Sequence, residues 1–340
     1  MRSTKRGLHM FHQTGGLTRI AFCAGAALLG VANRTPADGT AKPASSSCFE
    51  ADARDKSLQE VACNIATVRL AANSGAVYAQ NQLGLVSALH VTNGGDIREA
   101  RGWFEKAARR GYAPAQVNLA VTYLNGWGTP QNYGAALNWL NAAAKQGHPR
   151  AYANLGVLYM NGWGVRRDYA EAFHYLQLAA DAGDSGAQAN LGYLYDGGLG
   201  VVQDYSAAAR FYRFSADQNN ALGQNNLADL LLRGLGVPQS YSDAFYWFEK
   251  SAQQGYTAAQ IKLGFLLMNS LGCAKDPVSA YSSILAASKA GDHRGDGYLE
   301  TLKSQLDQQQ LAQINTKLES QAPAANSASQ PVIEVKSFVP

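Results

Sequence analysis

The sequence predicts an all-α fold: a right-handed α-α superhelical solenoid of about six 36-residue helix-turn-helix repeats. Three observations predict it. A glycine returns at 36-residue intervals, at Gly75, Gly111, Gly147, Gly183, Gly255 and Gly291, with Asn219 in the one gap. A leucine followed by a small residue keeps the same interval, from Leu83-Gly84 through Leu155-Gly156 to Leu263-Gly264. A residue whose short side chain favours helix starts also recurs, at Asp96, Asn132, Asp168, Asp204, Ser240 and Asp276.

The elements follow in chain order. Residues 1–32 read as a signal peptide: Arg2, Lys5, Arg6 and Arg19 precede an apolar stretch from Ile20 to Val31, and Gly30-Val31-Ala32 offers small residues for cleavage. The apolar stretch is shorter than the ~20 residues a membrane span needs, so cleavage is expected, with an uncleaved anchor as the alternative. Cys23 follows Phe22, not the small residue a lipoprotein signal would place there. Localisation is therefore expected to be periplasmic or secreted. The chain carries a net charge of +4, but the first 32 residues hold all of the excess. The remaining 25 basic and 25 acidic residues balance, which argues against a nucleic-acid partner.

Residues 33–55 form an expected linker, and residues 56–74 an N-terminal capping half-repeat. In the oxidising compartment that export implies, Cys48 and Cys63 can form a disulfide, leaving Cys273 as a small buried residue or a free thiol. Repeats fill 75–290. Each is read as helix A, a Gly-x-Gly turn, helix B and a closing Gly. The closing position suits a left-handed C′ cap, for which Gly ranks first and Asn next, and Asn219 fits that ranking. In the second repeat helix A is expected at about 113–125 and helix B at about 132–146. Asp96 with Glu99 and Asp168 with Glu171 resemble capping boxes. The aromatic column Trp103, Trp139, Tyr175, Phe211 and Trp247, which ends at Ser283, reads as core packing on the helix B stripe. Residues 291–320 are expected to form a C-terminal capping helix or helix pair, and 321–340 a disordered tail.

This pattern resembles the Sel-one-like repeat family, a relative of the tetratricopeptide repeats. The third repeat carries it in full: Ala151 to Val165, then Asp168, Ala172, Tyr175, Ala179-Ala180 and Gly183. The resemblance covers about residues 60–290. It departs at His90 to Thr92, where the Gly-x-Gly turn is lost, and at Ser270, which replaces a first turn glycine. The resemblance implies adaptor or scaffold work on a protein or peptide partner such as an envelope sensor or enzyme, or a secreted role in host or cell-wall contact. Membrane contact would then come only through the partner or an uncleaved anchor.

Candidate partner-binding residues lie on helix A, expected to line a concave face. Asn118, Asn154, Asn190 and Asn226 form one column, continued by Gln82 and Lys262. Each amide offers a donor and an acceptor to a peptide backbone; the alternative use is hydrogen bonding to neighbouring turns. A second column, with Tyr193 and Asp229, varies in character as a specificity surface would. No catalytic residue, metal ligand set or cofactor motif is expected. The histidines lack paired spacing, and no GxSxG or SxxK motif occurs. Cysteine-rich members linked to β-lactam hydrolysis resemble repeats with a cysteine pair in each unit, a pairing this chain lacks. Arg294-Gly295-Asp296 reads as a helix-boundary loop, not as a recognition tripeptide.

Overall fold

The turns explain the architecture. The computed structural model describes residues 58–89 and 97–321, with side chains at 65–88 and 97–316. The signal segment, the linker, Cys48, Asp96, the first Gly-x-Gly equivalent and the tail lie outside the described residues, as does the side chain of Cys63. All regular structure among the described residues is helical.

At five of the predicted helix starts the side chain accepts backbone N–H groups. Asn132 accepts from Ala135 at 2.9 Å, Asp168 from Ala170 and Glu171, and Asp204 from Ser206 and Ala207. Ser240 accepts from Asp243 at 3.2 Å, and Asp276 from Ser279 at 3.0 Å. Each bond satisfies a donor the helix leaves open. The capping box at Asp168 is only half made. Its own N–H is already given to the Tyr159 carbonyl, at 2.9 Å, so Glu171 has no backbone donor to reach back to. The same tie closes the other turns, from Asn132 to Tyr123, Asp204 to Tyr195, Ser240 to Leu231 and Asp276 to Leu267. The closing glycines hold positive φ, from 75° at Gly147 to 98° at Gly75, and Asn219 takes φ 60° in their place.

The described residues fall into two compact units, divided after His148. The first holds α1 (Leu58–Asn73), α2 (Val77–Leu89), α3 (Ile97–Arg109), α4 (Ala113–Asn125) and α5 (Tyr133–Ala144). The second holds α6 (Pro149–Asn161), α7 (Tyr169–Asp181), α8 (Ser185–Gly197), α9 (Tyr205–Asp217) and α10 (Ala221–Arg233). It continues with α11 (Tyr241–Gln253), α12 (Thr257–Asn269), α13 (Pro277–Lys289), a 3-10 turn at His293–Gly295, α14 (Asp296–Lys303) and α15 (Gln308–Gln321). Within each unit, sequential helices pack as antiparallel pairs and each pair stacks on the next, the arrangement of a helical solenoid. None of the described helices is long and apolar enough to cross a membrane.

The core runs where helices A and B cross. Leu119, Leu155, Leu191 and Leu227 are fully buried, and the small residue after each leucine meets a large one from helix B. An added Cβ at Gly156, Gly192 or Gly264 would stand 2.5 Å from Leu176, Tyr212 or Ile284. The buried helix B column is therefore Phe104, Leu140, Leu176, Tyr212, Phe248 and Ile284. The aromatic column lies one residue earlier: Trp103 is buried with Ala72, Ala79 and Leu83 as expected, while Trp139, Phe211 and Trp247 pack against the edge of the core. Tyr175, Phe211 and Trp247 are half-buried, with Tyr175 stacked on Tyr159 at 5.6 Å and Phe211 on Tyr195 at 5.6 Å.

Candidate interaction face

The predicted site residues lie on the helices that begin each repeat: α4 in the first unit, and α6, α8, α10 and α12 in the second. Helical spacing places the Asn column beside the core leucine, and the second column three residues further on the same side.

In the first unit, half-buried Asn118 donates from Nδ2 to Oδ1 of Asn81 on α2, at 2.8 Å. Asn81 is only 4% exposed, so this bond serves the stack. In the second unit, Asn154 is buried and donates to the Arg150 carbonyl of its own helix, at 2.8 Å. Asn190 is also buried. Asn226 is half-buried and accepts from Asn225 Nδ2 at 2.8 Å. The Asn column thus acts first within the protein. Asn154 and Asn190 offer a partner little surface, while Asn118 and Asn226 remain reachable.

The second column carries more of the chemistry. Half-buried Asp229 receives Lys262 Nζ at 3.0 Å, with Arg233 Nη1 at 3.5 Å. Burial pushes its carboxyl up, but Lys262 and Arg233 outweigh burial and hold it below the usual carboxylate range. Lys262 belongs to the Asn column, so the two columns are tied across α10 and α12. The ammonium also lies 5.3 Å from the Phe248 ring centre. Beneath them the buried Tyr212 hydroxyl points at Asp196 Oδ2, at 3.4 Å, and is hydrogen-bonded by Asn226. Burial raises this phenol well above its ordinary value, and the carboxylates of Asp196 and Asp229 raise it further. Tyr193 stands half-exposed at one end of the line, raised by burial and then by Tyr169 and Asp196. Phe265 and Tyr298 close the other end, with ring centres 6.2 Å apart.

A second set of polar rungs was not anticipated from the sequence. Gln116, Gln188 and Gln224 each accept at Oε1 from the glutamine 30 residues on: Gln146, Gln218 and Gln254, at 2.9, 2.7 and 2.7 Å. Gln116 and Gln224 also donate to the carbonyl eight residues back, sealing a helix end. Where position +30 is not glutamine, the acceptor is left unpaired: Gln80 faces the position of Arg110, and Gln260 that of Ala290. The spacing was in the sequence, but Gln columns carry no hydrophobic signal, so a search for periodic apolar residues passes over them.

These rungs repeat the 36-residue unit in side-chain detail, and the sequence matches the Sel1 repeat over residues 77–112, 113–148, 149–184, 185–220, 221–256 and 257–282. The chain belongs to the Sel1 repeat family. Sel1 repeat proteins serve as scaffolds for protein–protein interaction. One solved structure, a protective antigen present in uropathogenic Escherichia coli strains and displaying an SLR fold, is 30% identical with a TM-score of 0.55. The match covers 76% of this chain and 65% of that one, so this Sel1 protein spans just under two thirds of its neighbour's length. A Sel1 repeat protein from Oxalobacter formigenes is 29% identical, with a TM-score of 0.61, over 67% of this chain and 92% of that one. No curated protein matches the sequence.

The remaining candidates fall out plainly. Cys273 is a free, half-buried thiol, raised by burial and by Asp276. No group of three metal-ligating side chains occurs among the described residues. Ser288, His293 and Asp296 come together, but Ser288 Oγ and Asp296 Oδ2 both meet Nδ1 of the imidazole, at 3.3 and 2.9 Å. One ring nitrogen shared by both partners cannot relay a proton between them. The Arg294-Gly295-Asp296 tripeptide is closed: Arg294 forks onto Asp292 at 2.6 and 2.8 Å, Gly295 is buried, and Asp296 is held by His293.

Proposed function

We propose that this Sel1 repeat protein is an exported adaptor that binds a protein or peptide partner in the bacterial cell envelope through the helix A face of α8, α10 and α12. The observation that carries the reading is the line from Tyr193 through Asn226 and the Asp229–Lys262 pair to Phe265. It joins half-exposed aromatic rings, which interfaces favour, to a charge pair that is already neutralised within the protein. The signal-like pattern of residues 1–32 supports export, and the near-zero net charge beyond it speaks against nucleic acid.

A second reading has one observation in its favour. The similar structure from uropathogenic Escherichia coli is described as a protective antigen, which favours a surface-exposed or secreted host-contact factor. Both readings share the helix A face and differ in location.

The test is crosslinking capture from living cells with the full chain, beside a Tyr193→Ala/Asn226→Ala variant whose folding is verified by circular dichroism. Loss of a captured envelope protein in the variant supports the adaptor. Capture that survives the variant moves the site off this face. Absence of any partner, with the chain recovered from the medium, sinks the adaptor reading in favour of secretion.

A further inference from the structure

The last repeat departs from its predecessors at one place that leaves space. Its helix B position 283 is Ser, where the five preceding repeats carry Trp103, Trp139, Tyr175, Phe211 and Trp247. In the third repeat that ring lies against helix A: Tyr175 is 6.3 Å from Tyr152 and 5.6 Å from Tyr159, ring centre to ring centre. The residue equivalent to Tyr152 in the last repeat is Gln260, and Ser283 Oγ donates to its carbonyl at 2.9 Å. The ring is missing, and a hollow of about 760 Å³ opens there between α11, α12, α13 and α15. Leu263, Val278 and Ile314 supply its apolar lining, Ser279 and Ser282 add hydroxyls, and Glu249 is its one charged group. Its volume lies in the range of ligand pockets, and its apolar patch is bordered by polar groups on an open side.

We propose that this hollow receives an aromatic side chain from the bound partner, with a basic residue beside it to meet Glu249. The vacated column position is then filled in trans by the group that fills it in cis elsewhere. The fold itself points to the occupant: five repeats carry a Trp, Tyr or Phe at this register, and Tyr175 and Phe211 stack there on Tyr159 and Tyr195 of helix A. Burying such a ring against apolar side chains is how interfaces concentrate their affinity. The single carboxylate at the rim selects a cationic neighbour. The proposal rests on the reading of the chain as an interaction scaffold but uses a different surface from the helix A face.

The test uses the full chain and a blocked arginyl-fluorotryptophan dipeptide amide, observed by fluorine NMR. The wild-type chain is expected to broaden and shift the probe signal. Ser283→Trp fills the hollow from within and should weaken binding about tenfold or more, the loss of one buried ring contact, while leaving the helical circular dichroism intact. Should that variant fail to fold, Ala286→Phe obstructs the same lining from the next turn of α13. Glu249→Lys should weaken the probe without changing the fold. Equal binding by wild type and the filled variants overturns the proposal. Binding that appears only when the chain is cut after Gln321 assigns the hollow to the chain's own tail and also overturns it. No binding in either form does the same, and leaves capture through the helix A face untouched.

Discussion

The repeats at 219–254 and 255–290 share a backbone and differ in side chains, and the difference separates what the fold demands from what it leaves free. The earlier repeat has Gly234 and Gly236 in its turn, Trp247 on its flank and Gln254 on the rung. The later one has Ser270, Gly272, Ser283 and Ala290 at the same places. The first turn glycine is dispensable: Ser270 takes its place with φ 57°, in the left-handed region. The second is not. A Cβ on Gly236 would stand 2.2 Å from the Tyr205 carbonyl carbon, and one on Gly272 would stand 2.2 Å from the Tyr241 carbonyl oxygen. Here the turn lies directly on the start of the preceding helix B. The flank and rung positions vary because their loss opens a hollow or an unpaired acceptor without breaking the stack.

The largest effect should come from Gly236→Ala. It combines positive φ with a backbone overlap that no side-chain rotation relieves, so the cost should exceed about 3 kcal/mol. Chemical denaturation should show it, and Gly234→Ala, whose Cβ would stand 3.1 Å from the Gln239 Cβ and not on a carbonyl, should cost less, about 1–2 kcal/mol. Equal costs would remove the distinction between the two glycines. Gly192→Ala comes next. Its Cβ would meet the Tyr212 ring at 2.5 Å, an overpacking worth about 1–3 kcal/mol. The equivalent Ala228 already accommodates Phe248, so Ala228→Gly should cost less, about 1 kcal/mol for glycine inside a helix.

Asp229 gives the comparison a pH axis, since the equivalent of its partner Lys262 in the earlier repeat is Asn226. Its carboxyl is depressed in the folded chain. The ionised form therefore contributes stability above the unfolded value of about 3.9, and that contribution is lost as pH falls through the lower folded value. Asp229→Asn should cost about 1–2 kcal/mol at neutral pH, where it strands Lys262 and Arg233 beside a neutral amide. At a pH below the folded value the two proteins should converge. A constant gap across the acid range would assign the loss to packing and not to charge.

Much of this was legible in the sequence, for a definite reason. The 36-residue period, the caps at Asn132 and Asp168 and the left-handed Asn219 are local: each follows from one residue's backbone preference. The core register was legible only to within one residue. Trp247 and Phe248 are adjacent and both large, and only the crossing with Leu227 turns Phe248 inward and leaves Trp247 half-buried. The site was less legible still. An Asn at 118 and one at 154 look alike in sequence, yet one reaches across to Asn81 and the other turns back on Arg150. That choice depends on the neighbouring helix, which periodicity does not describe. The glutamine rungs needed pairs at an interval of 30, set by geometry between two helices and not by the repeat length.

Ser270 offers the smallest and cleanest test of what the last repeat gave up. Its backbone matches the glycine it replaces, with φ 57° against 68° at Gly234, and its N–H still donates to the Leu266 carbonyl. Any cost is therefore conformational, the strain of a Cβ in the left-handed region. Ser270→Gly removes that strain but makes the unfolded chain more flexible, so the two effects oppose each other. A net gain of about 0.5–1 kcal/mol is expected, because the left-handed penalty of about 1–2 kcal/mol exceeds the added entropy. Thermal denaturation would show a rise of a few degrees. A fall instead would mean that the Ser270 side chain stabilises its own turn, and that the last repeat's departures at Ser270, Ser283 and Ala290 form one coordinated change and not three separate ones.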